Sequence, residues 1–140
     1  RMGQDRDAFS VTSAALKQHP ENIPLLRLHA TISMHRGLHD EAEKTAKMAA
    51  RLAPENGQVV GLVALVLSNI GRNDEALEYA TRAVKIDLND PITHKILGSV
   101  HLARGEWERA EAQFLRMLEI NPNDPVAKHL LQETRKRQRS

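Results

Sequence analysis

The chain has 140 residues, of which 41% are hydrophobic and 27% are charged, proportions typical of a folded domain. Its formal net charge of +2 is too small to indicate a nucleic acid or a membrane surface as the partner. It contains no cysteine, which excludes disulfides and thiolate chemistry and leaves the compartment open between the cytoplasm and an exported location. The longest apolar run, residues 59–70, is too short to span a membrane.

A period of 34 residues organises the sequence. Within residues 57–90, an apolar segment is followed by a Gly-Arg-Asn-Asp break and then by an amphipathic segment, which predicts two helices joined by a short turn. A repeat of this length is typical of a solenoid built from stacked units. The glycine of the break and the alanine five residues after it recur at this interval, as Gly37, Gly71 and Gly105 and as Ala42, Ala76 and Ala110.

Residues 3–22 match only the second half of this pattern. Gly3, Ala8 and Pro20 each lie 34 residues before a counterpart, and Phe9 and Leu16 give the predicted helix an apolar stripe. Since no first helix precedes it, we expect an open hydrophobic flank through which two copies could form a homo-oligomer. Two explanations remain open: the chain was excised from a longer array, or it begins with a natural half-repeat cap.

Three complete units are predicted at residues 23–56, 57–90 and 91–124, followed by a capping helix and a basic tail at residues 125–140. Asp90 and Asp124 each precede a proline, and we expect them to cap the N-termini of helices. Pro54 should end the second helix of the first unit. Leu88 replaces proline at the matching position of the second unit, so we expect that helix to end less abruptly.

The predicted helix over residues 59–70 is apolar on nearly all sides. Either it is a central core helix flanked by units on both sides, or Leu62 and Leu65 form an apolar floor that a partner covers. Gly61 would leave room for the backbone of a ligand, or it would allow a crowded contact between helices. If it faces a ligand, Gly61→Leu should block binding and leave the helical content unchanged.

These columns of small residues resemble those of the tetratricopeptide repeat family. The resemblance implies an all-α fold, namely an α-solenoid of stacked antiparallel helix hairpins that forms a right-handed superhelix. It also implies a concave groove, lined by the first helix of each unit, that binds a peptide or helix of a partner protein. The third unit matches the family pattern best, with Gly98, Gly105, Trp107, Ala110, Phe114 and Pro122.

The sequence departs from the family pattern in two respects. Polar residues replace apolar ones, and we expect looser or more polar packing at these positions: His29, Ser33, His94 and His101. Some family members grip a C-terminal carboxylate with basic and amide side chains, and that set is missing here. The matching positions hold Arg27, Thr31, Leu62, Ile92 and Ile96. An apolar groove with polar edges suits an amphipathic helix or an extended hydrophobic segment better.

The helical phase of the first helices predicts which side chains the groove presents to a protein or peptide ligand. The predicted residues are Arg27, Leu28, Thr31, Met34, His35, Gln58, Gly61, Leu62, Leu65, Ser68, Asn69, Ile92, Lys95, Ile96, Ser99, Leu102 and His129. We expect the chain to act through them as a protein–protein interaction module or scaffold. The alternative is a repeat segment of a larger multidomain protein, such as a transferase, that serves substrate-protein binding or self-association.

Other classes of function lack their residue patterns. The sequence has no catalytic constellation and no glycine-rich phosphate loop, so we predict neither an enzyme nor a cofactor. His94 and His101 are seven residues apart and Gly37 separates His35 from His39, so no metal site is predicted. Helical repeats that bind RNA present a basic groove with base-reading polar side chains, whereas the groove predicted here is apolar.

The C-terminal tail is strongly basic, with four cationic residues among residues 135–139. Cations suit the C-terminus of a helix, where the macrodipole is negative. A contact with phosphate or acidic lipid is the alternative, and it would weaken as salt is added.

Overall fold

The computed structural model describes the backbone of residues 2–140 and the side chains of residues 8–140. Within that range the chain forms eight α-helices and no strand, which confirms the predicted all-α fold. Gly3 falls inside the first helix, among the residues whose side chains are not described. The helices are α1 (Met2–Gln18), α2 (Ile23–His35), α3 (His39–Leu52), α4 (Gly57–Asn69), α5 (Asn73–Ile86), α6 (Pro91–Ala103), α7 (Trp107–Ile120) and α8 (Pro125–Arg139). None of the described helices is both long enough and apolar enough to cross a membrane.

Glycine ends the first helix of each hairpin, as the 34-residue period predicts. Gly37, Gly71 and Gly105 have φ angles of 75°, 85° and 74°, a left-handed conformation that glycine adopts without steric cost. At the first turn, the amide of Leu38 donates to the carbonyl of Ser33 at 2.9 Å, which satisfies a terminal carbonyl of α2. The same bond, with the same length, recurs at the other two turns.

Side-chain caps begin the first helices at the same period. Asp90 and Asp124 accept hydrogen bonds from backbone amides of α6 and α8, which confirms both predicted caps. Asn22 and Asn56 cap α2 and α4 in the same way, and the sequence analysis missed them. All four residues stand 34 positions apart, so the period itself contained the signal.

Helix α5 ends as sharply as its counterparts, so the expectation based on Leu88 was wrong. It ends at Ile86, two residues before Leu88, just as α3 and α7 end two residues before their prolines. Side chains of α6 hold this connection instead of a proline ring. His94 donates from Nε2 to the carbonyl of Leu88 at 2.7 Å, and Thr93 donates from Oγ1 to the carbonyl of Asp87 at 3.0 Å.

The helices form a solenoid of hairpins. Each helix from α1 to α8 packs against the next in the chain, and α4 also packs beside both α2 and α6. Helix α4 lies at the centre of this arrangement, as a core helix flanked on both sides. Its fully or almost fully buried side chains are Val59, Val60, Val63, Ala64, Val66 and Leu67.

The hydrophobic core consists of two clusters. The larger one extends from α2 to α6 and includes the buried face of α4. The smaller one joins α7 to α8 and consists of Ala110, Phe114, Met117, Ala127 and Leu131. Phe114 connects the clusters, because its ring lies against Gly98 of α6 so closely that a Cβ atom there would overlap it.

Polar side chains lie within the core of the first and third units, as predicted. His29 is 1% exposed and is bonded through Nδ1 to Oγ1 of Thr12 at 2.7 Å and through Nε2 to Oε2 of Glu41 at 2.9 Å. His94 and His101 are also buried, and each has a hydrogen-bond partner. The hydroxyl oxygen of Ser33 is buried and has no partner among the described residues.

Candidate partner-binding groove

The first helices α2, α4 and α6 lie side by side, and we call the surface that they share the first-helix face. Of the predicted groove residues, fourteen are exposed or partly exposed. They are Arg27, Leu28, Thr31, Met34, His35, Gln58, Leu65, Ser68, Asn69, Ile92, Lys95, Ser99, Leu102 and His129. His129 lies on α8, one repeat beyond Lys95.

Three of the predicted residues are buried instead, and their assignment to the surface is corrected here. Leu62 is 8% exposed, Ile96 is 2% exposed, and Gly61 is buried between them and the next helices. A Cβ atom on Gly61 would lie 2.7 Å from Cδ1 of Ile96, so this glycine permits the close approach of α4 and α6. Gly61→Leu would therefore disturb helix packing, and it does not test ligand binding cleanly.

Apolar side chains nevertheless reach the surface of the first helices. Leu28 on α2 is 51% exposed and Ile92 on α6 is 43% exposed, while Leu65 and Leu102 are half-buried. Exposed aliphatic side chains that recur on adjacent helices offer apolar area to a partner, whereas isolated ones are ordinary. These four side chains are the apolar contribution of the first-helix face.

A hydrogen-bonded chain links the first turns of the three helices. Nη2 of Arg27 donates to Oε1 of Gln58 at 3.0 Å, and Nε2 of Gln58 donates to Oδ2 of Asp90 at 2.9 Å. The other oxygen of Asp90 accepts from the amide of Ile92 at 2.9 Å. Asp90 was predicted only as a helix cap, and its second role could not be read from a sequence position 32 residues away from Gln58.

Acidic residues are segregated between the two kinds of helix. Helices α2, α4 and α6 contain none, whereas each of the second helices α3, α5 and α7 contains three. The acidic residues of the second helices are Asp40, Glu41, Glu43, Asp74, Glu75, Glu78, Glu108, Glu111 and Glu119. The cations of the first-helix face therefore have no carboxylate on their own helices.

Ion pairs at the hairpin turns engage several of these carboxylates. Arg72 pairs with Glu43 at 2.7 Å and with Glu75 at 2.8 Å, and it thereby connects successive second helices. Hydrogen bonds from Lys47 and then Arg72 lower the pKa of Glu43, and a hydrogen bond from Arg72 lowers the pKa of Glu75.

Arg104 makes the corresponding connection one hairpin later. It pairs with Asp74 of α5 and with Glu106, whose Oε1 lies 2.8 Å from its Nε. Oε1 of Glu106 also accepts from Nδ1 of His101 at 3.0 Å. The hydrogen bonds from Arg104 and, second, from His101 lower the pKa of Glu106 from 4.5 to about 2.

Two concave clefts lie outside the centre of the first-helix face. The larger, of about 690 Å³, lies at the loops before α4 and α6 and includes Pro54, Gln58 and Asp87. The other, of about 330 Å³, lies between α1 and α3 and includes Leu16, Leu26 and Thr45. Thr45 stands 34 residues before Tyr79, so a small side chain occupies this position in the first unit and an aromatic ring in the second. Among the described residues, no three histidine, aspartate or glutamate side chains come together as metal ligands.

The fold and its period define a class of protein, the helix-hairpin solenoids. Residues 64–125 match the family model described as tetratricopeptide repeat, and the chain continues the same helix pattern on both sides of this segment. The chain is thus a tetratricopeptide repeat protein. No curated protein matches it significantly.

Solved structures of tetratricopeptide repeat proteins have the same fold. The first TPR of Spaghetti (RPAP3), bound to the HSP90 peptide SRMEEVD, has a TM-score of 0.75 and 19% identity, over 84% of this chain and 96% of that one. MamA has a TM-score of 0.76 and 19% identity, over 98% and 80%. The TPR domain of Sgt2 from Aspergillus fumigatus has a TM-score of 0.75 and 20% identity, over 84% and 79%. At such identities the likeness concerns the fold alone.

Proposed function

We propose that the chain is a protein-interaction module that holds a peptide or helix of a partner protein against the first-helix face. The observation that carries the proposal is the surface exposure of Leu28 and Ile92 on this face, beside the half-buried Leu65 and Leu102. An amphipathic helix or extended segment can cover such side chains and bury apolar area.

The comparisons support the proposal at the level of the fold. One similar structure, the first TPR of Spaghetti, holds a peptide. The tetratricopeptide repeat fold is generally used for protein interaction rather than for catalysis. For this chain we propose the units 23–56, 57–90 and 91–124 as the repeats that build the binding face, and the fourteen exposed or partly exposed residues named above as its lining.

Peptide selection with matched leucine and isoleucine variants tests the proposal. Peptides would be selected from a displayed random library on the immobilised chain, and their affinity measured by titration. We expect Leu28→Asp and Ile92→Asp each to weaken binding about tenfold or more, because a charge replaces apolar contact area. Leu115→Asp is the control, since Leu115 is 40% exposed on the second helix α7. Equal losses in all three variants, or none in the first two, would remove the first-helix face from the function.

Self-association is a second candidate, and the surface of α1 favours it. Val11 is 66% exposed on this helix, and Leu16 lies at the cleft between α1 and α3. Light scattering over a concentration series, with Val11→Asp as the variant, distinguishes the two functions. Concentration-dependent mass that Val11→Asp abolishes supports assembly through α1, whereas a constant monomeric mass excludes it.

A further inference from the structure

We infer that the partner segment is acidic as well as apolar, and that its side-chain carboxylates meet Arg27 and Lys95. This inference rests on the proposed function of the first-helix face and specifies the chemistry of its ligand. Arg27 and Lys95 occupy the same position of the repeat in the first and third units, 68 residues or two periods apart. Gly61 occupies that position between them, and His129 occupies it on α8.

The carboxylates near this row are few and already engaged. Helices α2, α4 and α6 contain none, and Asp90, at the start of α6, uses both oxygens to accept from Gln58 and from the amide of Ile92. On α8, Asp124 caps the helix and Glu133 lies 3.8 Å from Nζ of Lys136. The first-helix face therefore presents positive charge that no carboxylate of its own helices neutralises.

Both cations have hydrogen-bonding capacity left for a ligand. The one hydrogen bond of Arg27 goes to the neutral amide of Gln58, so its guanidinium keeps further N–H donors and its full charge. Lys95 is exposed and forms no ion pair with any described residue. A positive surface attracts an oppositely charged segment and rejects a positive one, which gives specificity and faster association.

The spacing of the two cations sets the pattern expected in the ligand. Packed helices lie about 8–10 Å apart, so Arg27 and Lys95 are separated by roughly two such steps. An extended peptide rises about 3.3 Å per residue, and it therefore places two acidic residues about five or six positions apart. Leu28, Leu65 and Leu102 would contact apolar residues between and beside them. The inference concerns internal acidic side chains, since the basic and amide set that grips a terminal carboxylate is missing here.

The test uses the same peptide selection, read for sequence composition and repeated with charge variants. We expect the recovered peptides to be net negative and rich in aliphatic residues, and Lys95→Glu and Arg27→Glu each to weaken them about tenfold or more. Lys95→Arg should retain binding. Lys85→Glu is the control, because Lys85 is exposed on the second helix α5. Raising the salt concentration should weaken binding, and amidating the peptide C-terminus should leave it unchanged.

The outcomes separate this inference from the proposed function. Peptides that Leu28→Asp weakens but that are neutral or basic, or that tolerate Lys95→Glu, overturn the inference and leave the interaction face intact. Peptides that lose binding on amidation overturn it in favour of terminal-carboxylate recognition. If no peptide is recovered, or if none depends on Leu28, the proposed function fails and the inference fails with it.

Discussion

At the scale of single residues, the buried histidines show where polar groups replace the apolar core. His29 occupies a position that holds Val63, Leu97 and Leu131 in the following repeats. Its two partners do not depend on it for solvation or pairing, because Thr12 also bonds to a backbone carbonyl at 3.1 Å and the Glu41 side chain is 36% exposed. The ring therefore matters chiefly as packed volume.

We predict that His29→Leu leaves the free energy of unfolding unchanged or raises it, because the leucine fills the volume without a buried polar group. His29→Ala should lower it by about 2–4 kcal/mol through the cavity that remains. Urea unfolding of both variants measures these effects. If the two variants lose the same amount, the hydrogen bonds to Thr12 and Glu41 stabilise the fold and the prediction is wrong.

Gly98 is the residue on which the junction of the two core clusters depends. We predict that Gly98→Ala lowers the free energy of unfolding by about 1–3 kcal/mol, because the added methyl group overlaps the ring of Phe114. Adding Phe114→Leu should recover part of this loss, since leucine leaves room for the methyl group. A double variant whose loss equals the sum of the single losses would show that the contact is not the cause.

At the scale of the helices and turns, most boundaries follow from the sequence period. Glycine turns, caps at Asp90 and Asp124 and the proline-terminated second helices are local features, and local features can be read from spacing. The end of α5 could not be read in this way, because a tertiary hydrogen bond from His94 to Leu88 determines it. The inter-helix ion pairs of Arg72 and Arg104 also join residues about 30 positions apart, and no local pattern contains them.

The turn around Glu106 makes stability depend on pH in a defined window. In the folded chain its pKa is about 2, and its ordinary value is 4.5, so the unfolded chain takes up the proton first as the pH falls. The stabilisation from Glu106 is therefore complete above pH 4.5 and is lost as the pH falls towards 2.

We predict that Glu106→Gln lowers the melting temperature at neutral pH and that the gap to the unmodified chain narrows between pH 4.5 and 2. Melting curves recorded across this range measure the gap. Glu78→Gln, on the exposed face of α5, serves as the control and should produce no such narrowing. A constant gap at all pH values would mean that the ion pairs of Glu106 do not stabilise the fold.

At the scale of the whole molecule, the divided core predicts uneven stability. In a solenoid each unit is stabilised by its neighbours, so segments can open separately. We predict that amides of α4 exchange most slowly with solvent and that α7 and α8, which share the smaller cluster, exchange together and faster. Native-state hydrogen exchange measures both rates. Equal protection of α4, α7 and α8 would show a single cooperative unit instead.

The sequence predicted the fold more completely than it predicted the face. The repeat reveals which helices are first helices, and helical phase places Arg27, Leu28 and Lys95 towards the surface. Phase alone misplaced Gly61, Leu62 and Ile96, because the depth to which α6 packs against α4 depends on the absence of a side chain at Gly61. The size of the contact between neighbouring units is a property of pairs of residues, and a period does not report it.

Mapping a selected peptide onto the chain by backbone amide chemical shifts tests the central claim most directly. The account predicts that the largest shifts fall on α2, α4 and α6, around Arg27, Leu65 and Lys95, and that they disappear in Leu28→Asp. Shifts confined to α3, α5 and α7, or to α1, would contradict it.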